Sequence, residues 1–117
     1  MIKTKSIYKP KEDSDGTRIL ITRFYPRGVK KDQFDQWVRE LAPSMKLLKG
    51  YKEGKINQDQ FTKEFFLQIY SSIDSLEAVQ SIGEMAKHDD VTLLCYEKEG
   101  EFCHRYLVKS LIMREIK

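Results

Sequence analysis

The clearest fold signal in the chain lies in residues 91–105, which read V-T-L-L-C-Y-E-K-E-G-E-F-C-H-R. A short apolar run ends near Cys95 and Glu97, as expected of a strand that is buried on both faces. A charged loop follows, and Cys103 begins a segment with helical spacing of apolar residues. In a parallel α/β sheet, the loop at the carboxyl end of a strand is the usual place of the functional site.

A second strand is predicted upstream, at residues 18–22, R-I-L-I-T, which form a compact and largely β-branched run. Residues 2–8 alternate loosely and predict a further short strand. Residues 18–22 and 91–96 are expected to be parallel neighbours, because the segment between them is long enough for helical crossover connections. The predicted fold is α/β, a single three-layer Rossmann-like domain over residues 1–117, with a short, mainly parallel sheet flanked by helices.

Helical spacing of apolar residues predicts the elements between and after these strands. Residues 29–42 are interpreted as a helix with Trp37 in the core, ended by Pro43. The next long helix is expected to begin at Asn57, which forms a capping-box pattern with Gln60. The other helices are predicted at residues 44–51, 74–87 and 103–116.

Composition limits the class of protein. The chain has 117 residues, 40% of them hydrophobic, and its 33% charged residues nearly cancel to a net charge of +3. This charge permits an anionic partner without requiring one, and no apolar run approaches the roughly 20 residues of a membrane span. Two cysteines are too few for a disulfide framework. We therefore expect a cytoplasmic protein with no membrane partner.

The start of the last predicted helix carries most of the candidate chemistry. Backbone N–H groups at a helix N-terminus attract anions and lower the pKa of a thiol, so Cys103 is a candidate nucleophile. His104 and Glu97 are candidate proton carriers. Arg105, in the first turn, is a candidate ligand for an anion.

A second group of candidates follows the first long strand, in R-F-Y-P-R-G at residues 23–28. Arg23 and Arg27 offer planar, bidentate donors suited to carboxylate or phosphate. The alternative is that these arginines pair with acidic residues such as Glu97 or Asp15. The carboxyl ends of both strands should open on one edge, which would bring this loop to the cysteine loop.

The two cysteines allow other interpretations. Cys95, assigned to the binding group, is also explained as a small core residue. Zinc would need a further ligand beyond Cys95, Cys103 and His104, and without a C-x-x-C pair no metal and no cofactor is predicted. A redox disulfide between Cys95 and Cys103 is geometrically conceivable but lacks the usual spacing.

Four motifs in order resemble a known family: D-G-x-R at residues 15–18, R-x-x-P-R-G at 23–28, L-A-P-S at 41–44 and C-x-E…C-H-R at 95–105. This set is similar to that of the domain of unknown function 488 (DUF488) family, near its short YeaO-like branch. The resemblance implies a compact α/β domain without an assigned activity. It implies a site built from Arg23, Arg27, Cys95, Glu97, Cys103, His104 and Arg105.

Two functions are compatible with these patterns. The first is an anion-binding pocket for a phosphate- or carboxylate-bearing small molecule, which becomes an enzyme site if Cys103 acts as a nucleophile. The second is a non-enzymatic module in which the same arginines contact nucleic acid or an acidic protein surface. The sequence does not identify the ligand or the oligomeric state.

Overall fold

The computed structural model describes residues 1–98 and 100–116. In these residues a sheet of four parallel strands has the order β1-β4-β2-β3. The strands are β1 (Ile2–Ser6), β2 (Thr17–Leu20), β3 (Gln36–Trp37) and β4 (Val91–Cys95). The helices are α1 (Met45–Lys52), α2 (Gln58–Tyr70), α3 (Ile73–Ala86) and α4 (His104–Ile116).

Strand β4 lies inside the sheet, and all five of its residues are buried. It pairs in parallel with β2, where Ile19 lies opposite Leu93, and with β1, where Ile2 lies opposite Val91. A strand buried on both faces has no polar side to present, which explains its largely apolar sequence. The hydroxyl of Thr92 donates to the Asp15 carbonyl at 2.7 Å. The α/β class and the parallel pairing of the two predicted strands are confirmed.

The two faces of the sheet are covered differently. On one face, Ile19, Ile21, Leu93 and Cys95 pack in a large core with residues from all four helices. On the other face, a smaller cluster contains Leu20 and Leu94, covered in part by Val29, Phe34 and Trp37. The alternation of these residues along each strand follows the period of two of a β-strand. The second covering layer is therefore an irregular segment and not a helix.

The predicted helix at residues 29–42 is wrong. This segment contains two 3₁₀ turns (Lys31–Gln33 and Arg39–Leu41) separated by β3. The backbone of Val38 donates to the carbonyl of Leu20 at 2.8 Å, and Trp37 Nε1 donates to the carbonyl of Thr22 at 2.7 Å. Pairing with the open edge of β2 satisfies backbone hydrogen-bonding groups of both segments. This pairing prevails over the helix that the spacing of apolar residues would favour.

Helix α2 begins as predicted and ends earlier than its apolar stripe. Asn57 and Gln60 form the capping box, with the Gln60 N–H donating to Asn57 Oδ1 at 2.9 Å. Phe61, Phe65 and Ile69 are buried, whereas the next residue of that spacing, Ile73, is 74% exposed because it belongs to α3. The other helices lie close to their predicted positions. Within the described ranges, no helix is long and apolar enough to cross a bilayer.

Candidate functional site

The carboxyl ends of three strands form the edge on which the candidate site lies. Beyond the ends of the strands, Ile21 N–H donates to the Leu94 carbonyl at 3.1 Å and Ile7 N–H donates to the Cys95 carbonyl at 2.8 Å. Ile21 therefore lies beside Cys95, and the first residue of α4, His104, reaches both of them. The loop that leaves β4 returns to this same edge.

The His104 ring is held in one orientation. Its Nε2 lies 2.5 Å from the Ile21 carbonyl oxygen, and because a carbonyl only accepts, Nε2 must donate. The Phe65 ring meets the imidazole at an angle of 67°, with centroids 5.8 Å apart. In the neutral ring Nδ1 is then the acceptor, and it lies 3.8 Å from Cys103 Sγ. The Ile21 carbonyl thus orients an imidazole toward a thiol.

Cys103 has the environment of a thiolate. A hydrogen bond from the Cys95 thiol, together with the neighbouring His104, lowers the pKa of Cys103 well below the usual value. The Arg105 N–H, at the start of α4, also donates to Cys103 Sγ at 3.5 Å. Cys103 is only 4% exposed. Burial alone would raise its pKa, so the donors and the positive charge prevail over desolvation.

Cys95 is the complementary group. It is fully buried, and desolvation followed by the negative Cys103 raises its pKa well above the usual range. Its Sγ lies 3.6 Å from His104 Nε2 and 3.8 Å from Nδ1. The pKa values of the two thiols are therefore shifted in opposite directions, that of Cys103 downward and that of Cys95 upward.

Glu97 is the third titrating group of the cluster. Burial, and then the negative charge of Cys103, raise its pKa to about 7. Its Oε1 is buried and has no hydrogen-bond partner among the described residues. A carboxyl group with a pKa near neutrality both gives and takes a proton readily under physiological conditions. The prediction of Glu97 as a proton carrier stays a prediction, supported by this environment.

Replacing Glu97 by glutamine should stabilise the protein at high pH. Between the unfolded pKa of about 4.3 and the folded pKa of about 7, the native carboxyl holds a proton that the unfolded chain has lost. This proton makes the free energy of unfolding fall with rising pH. The free energy of unfolding of Glu97→Gln, relative to that of wild type, should therefore rise across that interval, by about 1 kcal/mol above pH 7 after allowance for solvent screening.

Urea unfolding of both proteins at pH 4.5 and pH 8 measures this gain. Glu77→Gln, on the exposed side of α3, is the matched control and should show the same difference from wild type at both pH values. A Glu97→Gln gain that does not depend on pH would contradict the raised pKa.

Arg105 shapes the loop between β4 and α4. Its guanidinium is fully buried and donates to two carbonyls, Glu97 O at 2.7 Å through Nη1 and Lys98 O at 2.8 Å through Nη2. It also lies over the Tyr106 ring, 4.9 Å from the centroid. These contacts hold the backbone of Glu97 next to the cysteines and place a positive charge behind the thiolate.

The arginine loop meets the same edge of the sheet, since the Tyr96 hydroxyl donates to the Phe24 carbonyl. Arg23 Nε and Nη2 donate to the carbonyls of Pro43 and Ala42, at 2.6 and 3.1 Å. Arg27 is exposed. The structure thus brings the two loops together. The donors Nε and Nη2 of Arg23 bind backbone oxygens, and its contacts do not include the alternative partners Glu97 and Asp15. The anion site remains a prediction.

The ligand atoms of Cys95, Cys103 and His104 lie within 4.8 Å of one another, close enough to test against a metal centre. A zinc ion on Nδ1 would lie on its lone-pair axis, about 2.1 Å from the nitrogen. Nε2 is held by the Ile21 carbonyl, so Nδ1 is the ring nitrogen that a metal could use. These three residues supply three of the four protein ligands of a structural zinc site, and Cys95 Sγ and Cys103 Sγ each lie 3.8 Å from Nδ1.

Sequence reasoning missed two members of the site. The Ile21 carbonyl and the Phe65 ring orient His104, yet both residues carry only an apolar core signal. Every residue has a backbone carbonyl oxygen, so residue type does not reveal which one accepts the hydrogen bond of His104. The position of Ile21, directly after β2 in a strand-end loop, was the one available indication.

Comparison with known proteins agrees with the motif pattern. The family described as "DUF488-N3a: Active DUF488-N3 subclade" matches residues 2–115. The chain is 32% identical over 95 residues to the uncharacterized protein YeaO of Escherichia coli (strain K12), covering 80% of each chain. It is 28% identical over 75 residues to the uncharacterized protein Rv3073c of Mycobacterium tuberculosis (strain ATCC 25618 / H37Rv), covering 61% of this chain and 62% of that protein. No solved structure matches significantly. The chain belongs to the DUF488 family, in the DUF488-N3a subclade.

Proposed function

We propose that this protein is an enzyme in which the thiolate of Cys103 attacks a small electrophilic substrate at the carboxyl edge of the sheet. The observation that carries the proposal is the fixed pair of Cys103 Sγ and His104 Nδ1, 3.8 Å apart, with the opposite ring nitrogen bound to the Ile21 carbonyl. A nucleophile, a base and a group that orients the base are the components of nucleophilic catalysis.

Each residue of the cluster has a distinct part in this reaction. His104 Nδ1 takes the proton of Cys103 in the reaction, and the Ile21 carbonyl holds the ring in that orientation. Cys95, as a neutral thiol, donates to the thiolate and stays uncharged. Glu97 lies next to Cys103 and is half protonated near pH 7, so it supplies a proton to a leaving group or removes one from an attacking water.

The substrate that we propose carries an anionic group, such as phosphate or carboxylate. Support comes from the N–H groups at the start of α4 and from Arg27, exposed on the loop that joins the site through the Tyr96–Phe24 hydrogen bond. Phosphate titration followed by NMR should shift amides of residues 103–106, and Arg27→Ala should weaken the binding. Lys109→Ala, farther along α4, is the control. Shifts that are absent, or equally strong in Arg27→Ala, would exclude this anion site.

Alkylation by iodoacetamide tests the nucleophile. Folded protein should be modified at Cys103 at nearly the same rate at pH 6 and pH 8, because the thiolate is present at both values. In the urea-unfolded chain, an ordinary thiol with a pKa of about 8.5 should react roughly 100-fold more slowly at pH 6 than at pH 8. Mass spectrometry of peptides separates Cys103 from Cys95, which is the internal control.

Two outcomes would overturn the proposal. The first is a Cys103 that reacts in the folded protein with the pH profile of the unfolded chain. The second is an inert Cys103 together with nucleic-acid binding that weakens with salt and with Arg23→Ala, which would favour a non-enzymatic interaction module.

A further inference from the structure

We infer that the site reduces small hydroperoxides, with Cys103 as the attacking thiol and Cys95 as the thiol that resolves the product into a disulfide. This inference rests on the proposed function, since it gives a substrate class to the same thiolate. It adds a role for Cys95 that core packing does not require.

The placement of the two sulfurs supports the inference. Both cysteines are free, and their Sγ atoms belong to a set within 4.8 Å of one another. Cys95 ends β4 and Cys103 directly precedes α4, so a short loop joins them. Closing a disulfide requires the sulfurs to approach to about 2.05 Å. Because Cys103 lies outside the strand, directly before α4, its sulfur can make this approach without separating β4 from the sheet.

Burial limits the size of the substrate. Cys103 is 4% exposed and Cys95 is not exposed at all. A surface cavity of about 600 Å³ lies between α1 and α2, lined by residues such as Leu47 and Leu67, and another of about 420 Å³ lies on α4 near Met113. Neither of these cavities is lined by Cys103. A hydroperoxide is small enough to approach from the side of the partly exposed Glu97.

The first chemical step uses the thiolate and one proton. The sulfur of Cys103 attacks the terminal oxygen of ROOH, a sulfur–oxygen bond forms and the oxygen–oxygen bond breaks. The leaving alkoxide takes a proton from Glu97 or from the His104 imidazolium and departs as ROH. The product is the sulfenic acid of Cys103, which is the first level of thiol oxidation.

The second step uses Cys95. Its sulfur attacks the sulfenic sulfur, the disulfide forms, and the hydroxide leaves with the proton of the Cys95 thiol as water. The pair of cysteines has then lost two electrons and the peroxide has gained them. A dithiol reductant restores both thiols by exchange and becomes a disulfide itself. The protein therefore returns to its starting state after each turnover.

The test treats the reduced protein with one equivalent of hydrogen peroxide at pH 7, followed by an acid quench and intact-mass measurement. Wild type should lose about 2 Da as the disulfide forms, and peptide mapping without reductant should locate the bond. Cys95→Ser should instead gain about 16 Da as a sulfenic acid, and a parallel sample with dimedone should carry the dimedone adduct on Cys103 in its place. Cys103→Ser should not change.

The outcomes separate this inference from the proposed function. A Cys103 that iodoacetamide modifies at pH 6 but that hydrogen peroxide leaves intact would overturn the peroxide inference and leave the nucleophile standing. A Cys103 inert to both reagents would overturn both. Wild type that gains about 16 Da and forms no disulfide would remove the role of Cys95. Because mapping uses wild type alone, the test holds even where Cys95→Ser folds poorly.

Discussion

His104→Gln is expected to lower the rate of Cys103 alkylation at pH 6 by tenfold to about 100-fold relative to wild type. The Cys95 hydrogen bond is the larger contribution to the low pKa of Cys103, and the neighbouring His104 adds a second hydrogen bond and a positive charge. Removing the imidazole leaves the hydrogen bonds from the Cys95 thiol and from the Arg105 N–H but takes away both contributions of His104, so the thiolate fraction at pH 6 falls. The measurement is the rate of iodoacetamide modification as a function of pH.

Two substitutions of His104, by glutamine and by alanine, separate chemistry from packing. In His104→Gln the amide nitrogen of the new side chain reaches where Nε2 donates to the Ile21 carbonyl, so the variant should keep most of the wild-type stability. His104→Ala leaves that carbonyl without its partner and opens space beside Phe65. The free energy of unfolding should therefore fall by a further amount of about 1–3 kcal/mol, the typical penalty for an unsatisfied buried group. A pH profile of alkylation in His104→Gln that matches wild type would show that His104 acts only in packing.

Gly16→Ala is expected to cause the largest loss of stability, about 4 kcal/mol or more. Gly16 has a φ of +65°, and a Cβ there would lie 2.0 Å from the Asp90 carbonyl oxygen. That oxygen accepts from Thr17 N–H at 2.9 Å, where the pairing of β2 with β4 begins. Relief of the overlap therefore requires one strand to move away from the other, and no side-chain rotation can replace that movement.

Gly54→Ala is the matched control, because Gly54 has a φ of +74° and a Cβ there has no neighbour within 4 Å. It should lose only the roughly 1–2 kcal/mol that the left-handed conformation costs a residue with a Cβ. Urea midpoints of the two variants, compared with wild type, measure the difference. Equal losses would mean that the contact with Asp90 does not limit the approach of the strands.

The parallel sheet was predictable because its signal is local. Residues 91–95 and 18–20 are buried, and strands buried on both faces favour short runs that are mostly apolar. The segment at 29–42 was misread because apolar residues at helical spacing also suit a strand edge with two turns. Its hydrogen bonds to Leu20 and Thr22 involve partners that are distant in sequence from Trp37 and Val38, which no local window contains.

The site divides in the same way. Cys103, His104 and Glu97 were predicted as candidates from residue type and from their place at a strand end and a helix start. The partners of each arginine could not be predicted in this way, because a guanidinium binds a carbonyl as readily as an anion. Arg105 in fact holds the backbone of Glu97 and Lys98. The choice between such acceptors depends on which groups folding leaves unpaired.

The sequence by itself determined the α/β class, the neighbouring parallel strands and the family, because residue type alone reveals which segments are apolar enough to be buried and how the motifs are spaced. Only the tertiary structure decided in which direction the pKa of each thiol shifts, which ring nitrogen faces Cys103 and how close Cys95 comes. The physical reason is that a pKa depends on desolvation and on charges and dipoles a few ångströms away. In this protein Cys95 comes to Cys103 from β4, and the Ile21 carbonyl acts on it through His104, and only folding brings these parts of the chain together.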